Sequence, residues 1–190
     1  MKGLVWLRRD LRLRDNPALS AACQECQDIV PLFVFDEPLL RSHAFGSACV
    51  GFMLGCLEEL RRSLALHGVS LAWRTGDPVE SVIQAASDFK VDAVYWNRDY
   101  EPAALERDRT VQQRLAQQGR TVRTFKDHVV FEAEEVRGQS GDPFQRYSAY
   151  RDRWWAKWRA AAPPLLGIPS FPPAGEASAS DSREWPSVTD

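Results

Sequence analysis

The chain has 190 residues, 44% of them apolar, and a formal net charge of −2. That is one ordinary domain with chain to spare, and enough apolar material for a core. So small a charge excludes a protein that holds nucleic acid by bulk electrostatics; any such contact needs a local patch. The N-terminus has no signal-peptide h-region, and no apolar run approaches the roughly 18 residues of a membrane span. A soluble, cytoplasmic protein that does not engage a membrane is expected.

Leu4-Val5-Trp6-Leu7 is a short apolar run and reads as a buried strand. Asp15-Asn16-Pro17 supplies a cap and a first-turn proline, so a helix runs from about 16 to 26. The β-branched and aromatic run Ile29 to Phe35 is the second strand, stopped by Asp36-Glu37-Pro38. From Gly46 to Leu66 apolar residues recur at helical spacing, and Gly68 closes the helix. Val69 to Trp73 is the third strand. Gly76-Asp77-Pro78 opens a helix through about Phe89. Val91 to Trp96 is the fourth strand, Pro102 to Gln118 a helix, and Thr121 to Phe125 the fifth strand. This alternation specifies an α/β fold: a five-stranded parallel Rossmann-like sheet with helices on both faces.

Beyond that unit (1–130) the pattern changes. Residues 131–160 form a domain-end segment, irregular at first and then helical, with Arg146, Arg151, Arg153, Lys157 and Arg159 around Trp154, Trp155 and Trp158. Basic residues among aromatics can bind nucleic acid or a membrane surface, but Trp154 and Trp158 are one turn apart and are expected to pack on the domain; if a partner domain is missing, one tryptophan is left exposed. Residues 161–190 hold half of the twelve prolines and read as a linker or tail.

In an open parallel sheet, ligands bind beyond the carboxyl ends of the strands, where strand order reverses. Three polar strand exits are candidates: Arg8-Arg9-Asp10-Leu11-Arg12, Asp36-Glu37, and Asn97-Arg98-Asp99-Tyr100-Glu101. They are expected to converge on one crevice. Guanidiniums there could bind phosphate or carboxylate, and Asp99 and Glu101 could accept from ring N–H or ribose hydroxyl groups. The alternative is a solvated rim in which the arginines pair with Asp10, Asp15 and Asp99. Neither G-x-G-x-x-G nor a P-loop is present, so side chains must hold any ligand. Cys23-x-x-Cys26 falls late in a helix, where no dipole lowers a thiol pKa, and Cys49/Cys56 has no metal-site spacing. No metal site and no catalytic nucleophile are expected.

The run Trp6-Leu7-Arg8-Arg9-Asp10-Leu11-Arg12-Leu13-Arg14-Asp15-Asn16-Pro17-Ala18-Leu19 resembles the opening signature of the DNA photolyase/cryptochrome family. Phe33-Val34-Phe35-Asp36, Tyr95-Trp96-Asn97-Arg98-Asp99-Tyr100-Glu101-Pro102 with Arg107-Asp108, and Gly141-Asp142-Pro143-Phe144 resemble further family segments. The resemblance covers about residues 1–160 and is closest to class I cyclobutane pyrimidine dimer photolyases. It implies an N-terminal domain for an antenna chromophore, which is a deazaflavin, FMN or folate. That antenna would pass energy to FAD in a helical C-terminal domain, which repairs DNA. On that basis Arg8, Arg9, Asp10, Phe35, Asp36, Cys49, Asn97, Asp99 and Glu101 lie at the chromophore. Cys49 stands where the family commonly has an antenna-contacting arginine. Cysteine supplies no cation, so Arg41 or Arg9 would have to. Tyr147-Ser148-Ala149-Tyr150 departs from the family's usual Thr/Gly-Pro-Phe stretch. The helical FAD domain is expected to be absent from this chain, lost or supplied by a separate partner, with DNA contacted only indirectly. FAD would bind only if such a partner supplied its site. The alternative is a stand-alone nucleotide-binding or interaction module of the same fold.

Overall fold

Alternating side chains along the strands divide the interior into two apolar layers. The computed structural model describes residues 1–41, 46–138 and 141–173. Five strands, β1 (Lys2–Leu7), β2 (Asp28–Asp36), β3 (Ala72–Gly76), β4 (Ala93–Asn97) and β5 (Thr121–Phe125), form one parallel sheet in the order β3-β2-β1-β4-β5. Six helices accompany them among the described residues: α1 (Pro17–Glu25), α2 (Glu37–Arg41), α3 (Ser47–Ala65), α4 (Pro78–Asp88), α5 (Pro102–Gln117) and α6 (Tyr147–Ala160). Val5, Leu7, Phe33 and Tyr95 join Leu19 of α1 and Leu57, Leu60 and Leu64 of α3 in one cluster. Leu4, Trp6, Leu32 and Trp96 join Val82 of α4 and Val111 and Leu115 of α5 in the other. Strands covered on both faces read as continuous apolar runs, which is why Leu4–Leu7 shows no polar alternation. The expected α/β fold is the observed one.

One boundary moves. The third strand begins at Ala72, not Val69. Gly68 takes φ +73, and the Val69 N–H donates to the Leu64 carbonyl at 3.1 Å. Val69 therefore closes the end of α3 and cannot pair with β2, whose ladder with β3 starts at Leu32↔Ala72.

Residues 161–173, within the stretch read as linker or tail, return to the domain without regular secondary structure. The Asp15 N–H donates to the Leu166 carbonyl at 3.0 Å, and the Leu166 N–H donates to Asp15 Oδ1 at 2.9 Å. Asp15 holds φ +54, a left-handed conformation that a short polar side chain tolerates. Further along, Phe171 stacks on His67, just past α3, with ring centroids 4.6 Å apart.

Helix α6 is held by its aromatic stripe. Trp154 lies parallel to Trp158 at 5.6 Å and edge-on to Phe131 at 5.4 Å. Lys157 donates to the Glu135 carbonyl at 2.8 Å and sits 4.9 Å over the Phe131 ring. Among the described residues Trp155 is the exposed tryptophan, at 45%.

Candidate functional site at the strand-order reversal

The sheet order reverses between β1 and β4, so their exits lie side by side at the carboxyl edge. The floor of this crevice is a knot of buried polar side chains. Asn97 Nδ2 donates to Asp10 Oδ2 at 2.6 Å and to Asn16 Oδ1 at 2.8 Å, and Asn97 Oδ1 accepts from the Ala18 N–H at 3.0 Å. Asp10 Oδ1 accepts from the Arg8 N–H at 2.8 Å. Asn16 also caps α1, accepting from the Leu19 N–H at 3.1 Å. One residue thus joins the β1 exit, the β4 exit and the start of α1.

Arg8, Arg9 and Arg12 are each paired, but none with the Asp10, Asp15 or Asp99 carboxylate of the solvated-rim alternative. Arg8 grips Asp108 on α5 at 2.7 and 2.8 Å and also donates to the Asn97 carbonyl. Arg9 pairs with Glu101 through two bonds of 2.7 and 2.8 Å, not with Asp99. Arg12 pairs with Asp127, with one bond at 3.2 Å, and donates to the Asp15 carbonyl, not its carboxylate. Asp10 and Asp99 instead accept from backbone N–H groups and, for Asp10, from asparagine amides.

Asp99 is enclosed, 6% exposed. Burial works against its ionised form. The backbone N–H groups of Glu101 and Tyr100, with Arg9 and Arg8 nearby, outweigh burial and hold the carboxyl below its ordinary value. A depressed carboxylate stabilises the fold above its unfolded pKa and loses that contribution as pH falls through the folded value. Asp99→Asn is therefore expected to flatten the acid limb of a stability–pH curve, read by urea denaturation between neutral pH and the carboxylate range. An unchanged acid limb would show that the turn does not depend on the charge. At the exposed rim, the Arg9 hydrogen bond lowers Glu101 and the same bond raises Arg9.

Not every expected residue joins this crevice. Phe35 is buried in the core, edge-on to Phe33 at 5.0 Å and to Trp73 at 5.9 Å. Asp36 accepts from the Leu39 N–H at 3.0 Å and so caps α2. The β2 exit lies on the far side of β1 from β4, so two of the three polar exits adjoin, not all three. Cys49 is exposed on the first turn of α3, and no hydrogen bond or ion pair among the described residues links it to the crevice. The Arg41 side chain lies outside the described residues.

The four thiols are free and differ sharply in setting. Burial pushes Cys23 up to about 12, with the neighbouring Cys26 adding to it. Iodoacetamide at mildly alkaline pH is expected to alkylate Cys49 fastest and Cys56 more slowly. Cys23 and Cys26 should react only on unfolding. Peptide mass analysis reads the order, and early labelling of Cys23 would contradict it.

Sequence reasoning missed Asp108, Asn16 and Asp127 as parts of this network. It also missed a groove of about 510 Å3 beside it. Leu11, Arg12 and Leu13 wall one side of the groove; Phe52, Gly55, Cys56, Glu59, Leu60 and Ser63 of α3 wall the other.

Comparisons with known proteins agree with this architecture. The DNA photolyase family profile matches residues 3–169. A deoxyribodipyrimidine photo-lyase from a Synechococcus strain is 34% identical over 85% of this chain, which spans 32% of that protein. An uncharacterised 31.6 kDa protein from another Synechococcus strain is 36% identical over 98% of this chain and 65% of its own length. The chain thus spans about a third to two thirds of these relatives. Among solved structures, a class III photolyase from Agrobacterium tumefaciens superposes with a TM-score of 0.79 at 28% identity, over 93% of this chain and 36% of that one. A Synechocystis cryptochrome shares the fold, with a TM-score of 0.83 at 22% identity, over 92% of this chain and 37% of that one. With the sequence profile, the sheet order and the superpositions in accord, this chain belongs to the DNA photolyase family.

Proposed function

We propose that this domain binds the antenna chromophore of a light-driven deoxyribodipyrimidine photolyase, and that it does not repair DNA without a helical flavin-holding domain. The observation that carries the reading is the β1 exit. One loop, Arg8 to Leu13, supplies both the charged rim at the strand-order reversal and the wall of the adjoining groove. Rigid strand ends hold the rim, and the loop between them can face a ligand without disturbing the core. The domain's work in this reading is to bind a light-absorbing ring and orient it. Electron transfer to damaged DNA belongs to the flavin, which would be held elsewhere.

Titration of the purified chain with FMN, a deazaflavin and methenyltetrahydrofolate tests this. The expected result is saturable binding of one of them, with a shifted absorbance band and quenched tryptophan fluorescence. AMP and ATP serve as comparison ligands. If no chromophore binds better than AMP while circular dichroism shows an intact fold, the reading is wrong. Without an added flavin domain, light should reverse no dimers in a damaged oligonucleotide.

A further inference from the structure

We infer that the outer face of α6 is a contact for single-stranded DNA, with bases stacking on Tyr147 and Trp155 and phosphates meeting the arginines beside them. The face itself does not depend on the chromophore reading; only the choice of DNA over RNA rests on the proposed function.

Packing uses one side of α6. Trp154 lies against Phe131 with Trp158 stacked on it, and Lys157 is spent on Glu135, through its carbonyl at 2.8 Å and its carboxylate at 3.6 Å. The other aromatics have no such role. Tyr147, Arg151, Trp155 and Arg159 follow at four-residue spacing, so each stands one turn beyond the last in a single row. Tyr147 is 76% exposed, and Trp155 is half-exposed. The Arg159 guanidinium lies 5.9 Å from the Trp155 ring, near the outer limit of a cation–π contact. A base can take that ring while the guanidinium turns to the phosphate. Rings flanked by cations are how proteins hold a single strand without reading its sequence.

Charge selects the partner. The chain carries −2, yet residues 146–160 hold five cations against a single acid, Asp152. Arg151 bonds Asp152 at 2.8 and 2.9 Å, but both side chains are exposed and salt screens the pair. Arg153 and Arg159 form no ion pair among the described residues. This is the local patch that a nucleic-acid contact needs in a chain of such small net charge. A membrane surface fits less well: α6 contains no Leu, Ile, Val, Met or Phe, so it has little aliphatic area to bury among acyl chains. A protein partner would have to bring an acid to each unpaired arginine, whereas a DNA strand brings one phosphate with every nucleotide.

Fluorescence anisotropy of the full chain with a dye-labelled twelve-nucleotide oligo-dT, at low and moderate salt, tests this. Saturable binding with quenched tryptophan fluorescence is expected. Trp155→Ala should weaken it at least about fivefold, the effect of losing one stacked base, while Trp155→Phe should keep most of it. Arg153→Gln combined with Arg159→Gln should reduce the slope of log affinity against log salt by about 1.4. Asp152→Asn should tighten binding by removing the one repelling charge. An abasic strand of the same length should bind several-fold more weakly than oligo-dT. Absence of binding to the unsubstituted chain at low salt overturns the inference. So does an abasic strand that binds as well as oligo-dT, or normal binding by Trp155→Ala. Equal loss in Trp155→Ala and Trp155→Phe, with the helix intact by circular dichroism, removes stacking and overturns it too. Preference for oligo-rU, or for phosphatidylserine vesicles, assigns the face to another partner. None of these outcomes bears on the chromophore titration, which uses different ligands and stands or falls separately.

Discussion

Replacing Asn97 by alanine is expected to lower the unfolding free energy by about 3–5 kcal/mol. Asn97 is 2% exposed and makes three side-chain hydrogen bonds, to Asp10, Asn16 and the Ala18 N–H. Alanine leaves the Asp10 carboxylate, 3% exposed, without its shortest partner at 2.6 Å. It also orphans a backbone N–H in the first turn of α1. Each buried group left without a partner costs about 1–3 kcal/mol, more for a charge. Asn97→Asp keeps the shape but sets a second carboxyl against Asp10. Two carboxyls at hydrogen-bond distance cannot both ionise cheaply, so one pKa rises. That variant should therefore recover stability as pH falls through the raised value, whereas Asn97→Ala should not. Urea unfolding at neutral and mildly acid pH reads both. A loss under about 1 kcal/mol for Asn97→Ala would show that the knot does not organise the edge.

What could be read from the sequence divides by range. Apolar runs, capping residues and first-turn prolines act locally, and so Asn16-Pro17, Asp77-Pro78 and the five strands stand out from the letters. The β3 boundary did not, because Val69 is apolar in either role and only the closing bond to Leu64 assigns it to α3. The arginine partners were out of reach for a related reason. Arg8 and Asp108 are a hundred residues apart and meet only because α5 packs beside β1 through the Trp6 layer. Nearby acids such as Asp10 and Asp15 were the natural candidates by sequence, but their short side chains are turned into backbone bonds. The groove was hidden because half its wall comes from a loop and half from α3, and its mark in the sequence, a glycine within a helical pattern, is ambiguous until the packing is known.

Arg8→Met should cost about 2–3 kcal/mol, and Asp108→Leu added to it should restore most of the loss. Arg8 holds both Asp108 oxygens, donates to the Asn97 carbonyl and lies 4.8 Å over the Trp6 ring. Removing it leaves Asp108 enclosed with one remaining cation, Arg107, bonded to Oδ1 at 2.8 and 3.0 Å. That second arginine should keep the loss below the 3–5 kcal/mol typical of a fully stranded charge. Methionine retains contact with the Trp6 ring but cannot bond the Asn97 carbonyl, so the doubly substituted chain should not exceed the parent in stability. Arg8→Lys is not a mild change here, because one ammonium cannot grip a carboxylate and a carbonyl in a fixed fork. Salt separates this pair from its neighbour: Arg9–Glu101 is more than half exposed and should weaken as ionic strength rises, while Arg8–Asp108 should not. A double-mutant cycle in low and high salt measures the coupling. If Arg8→Met costs nothing, or if the coupling fades in salt as it does for an exposed pair, then Arg8 is a rim residue free to turn toward a ligand.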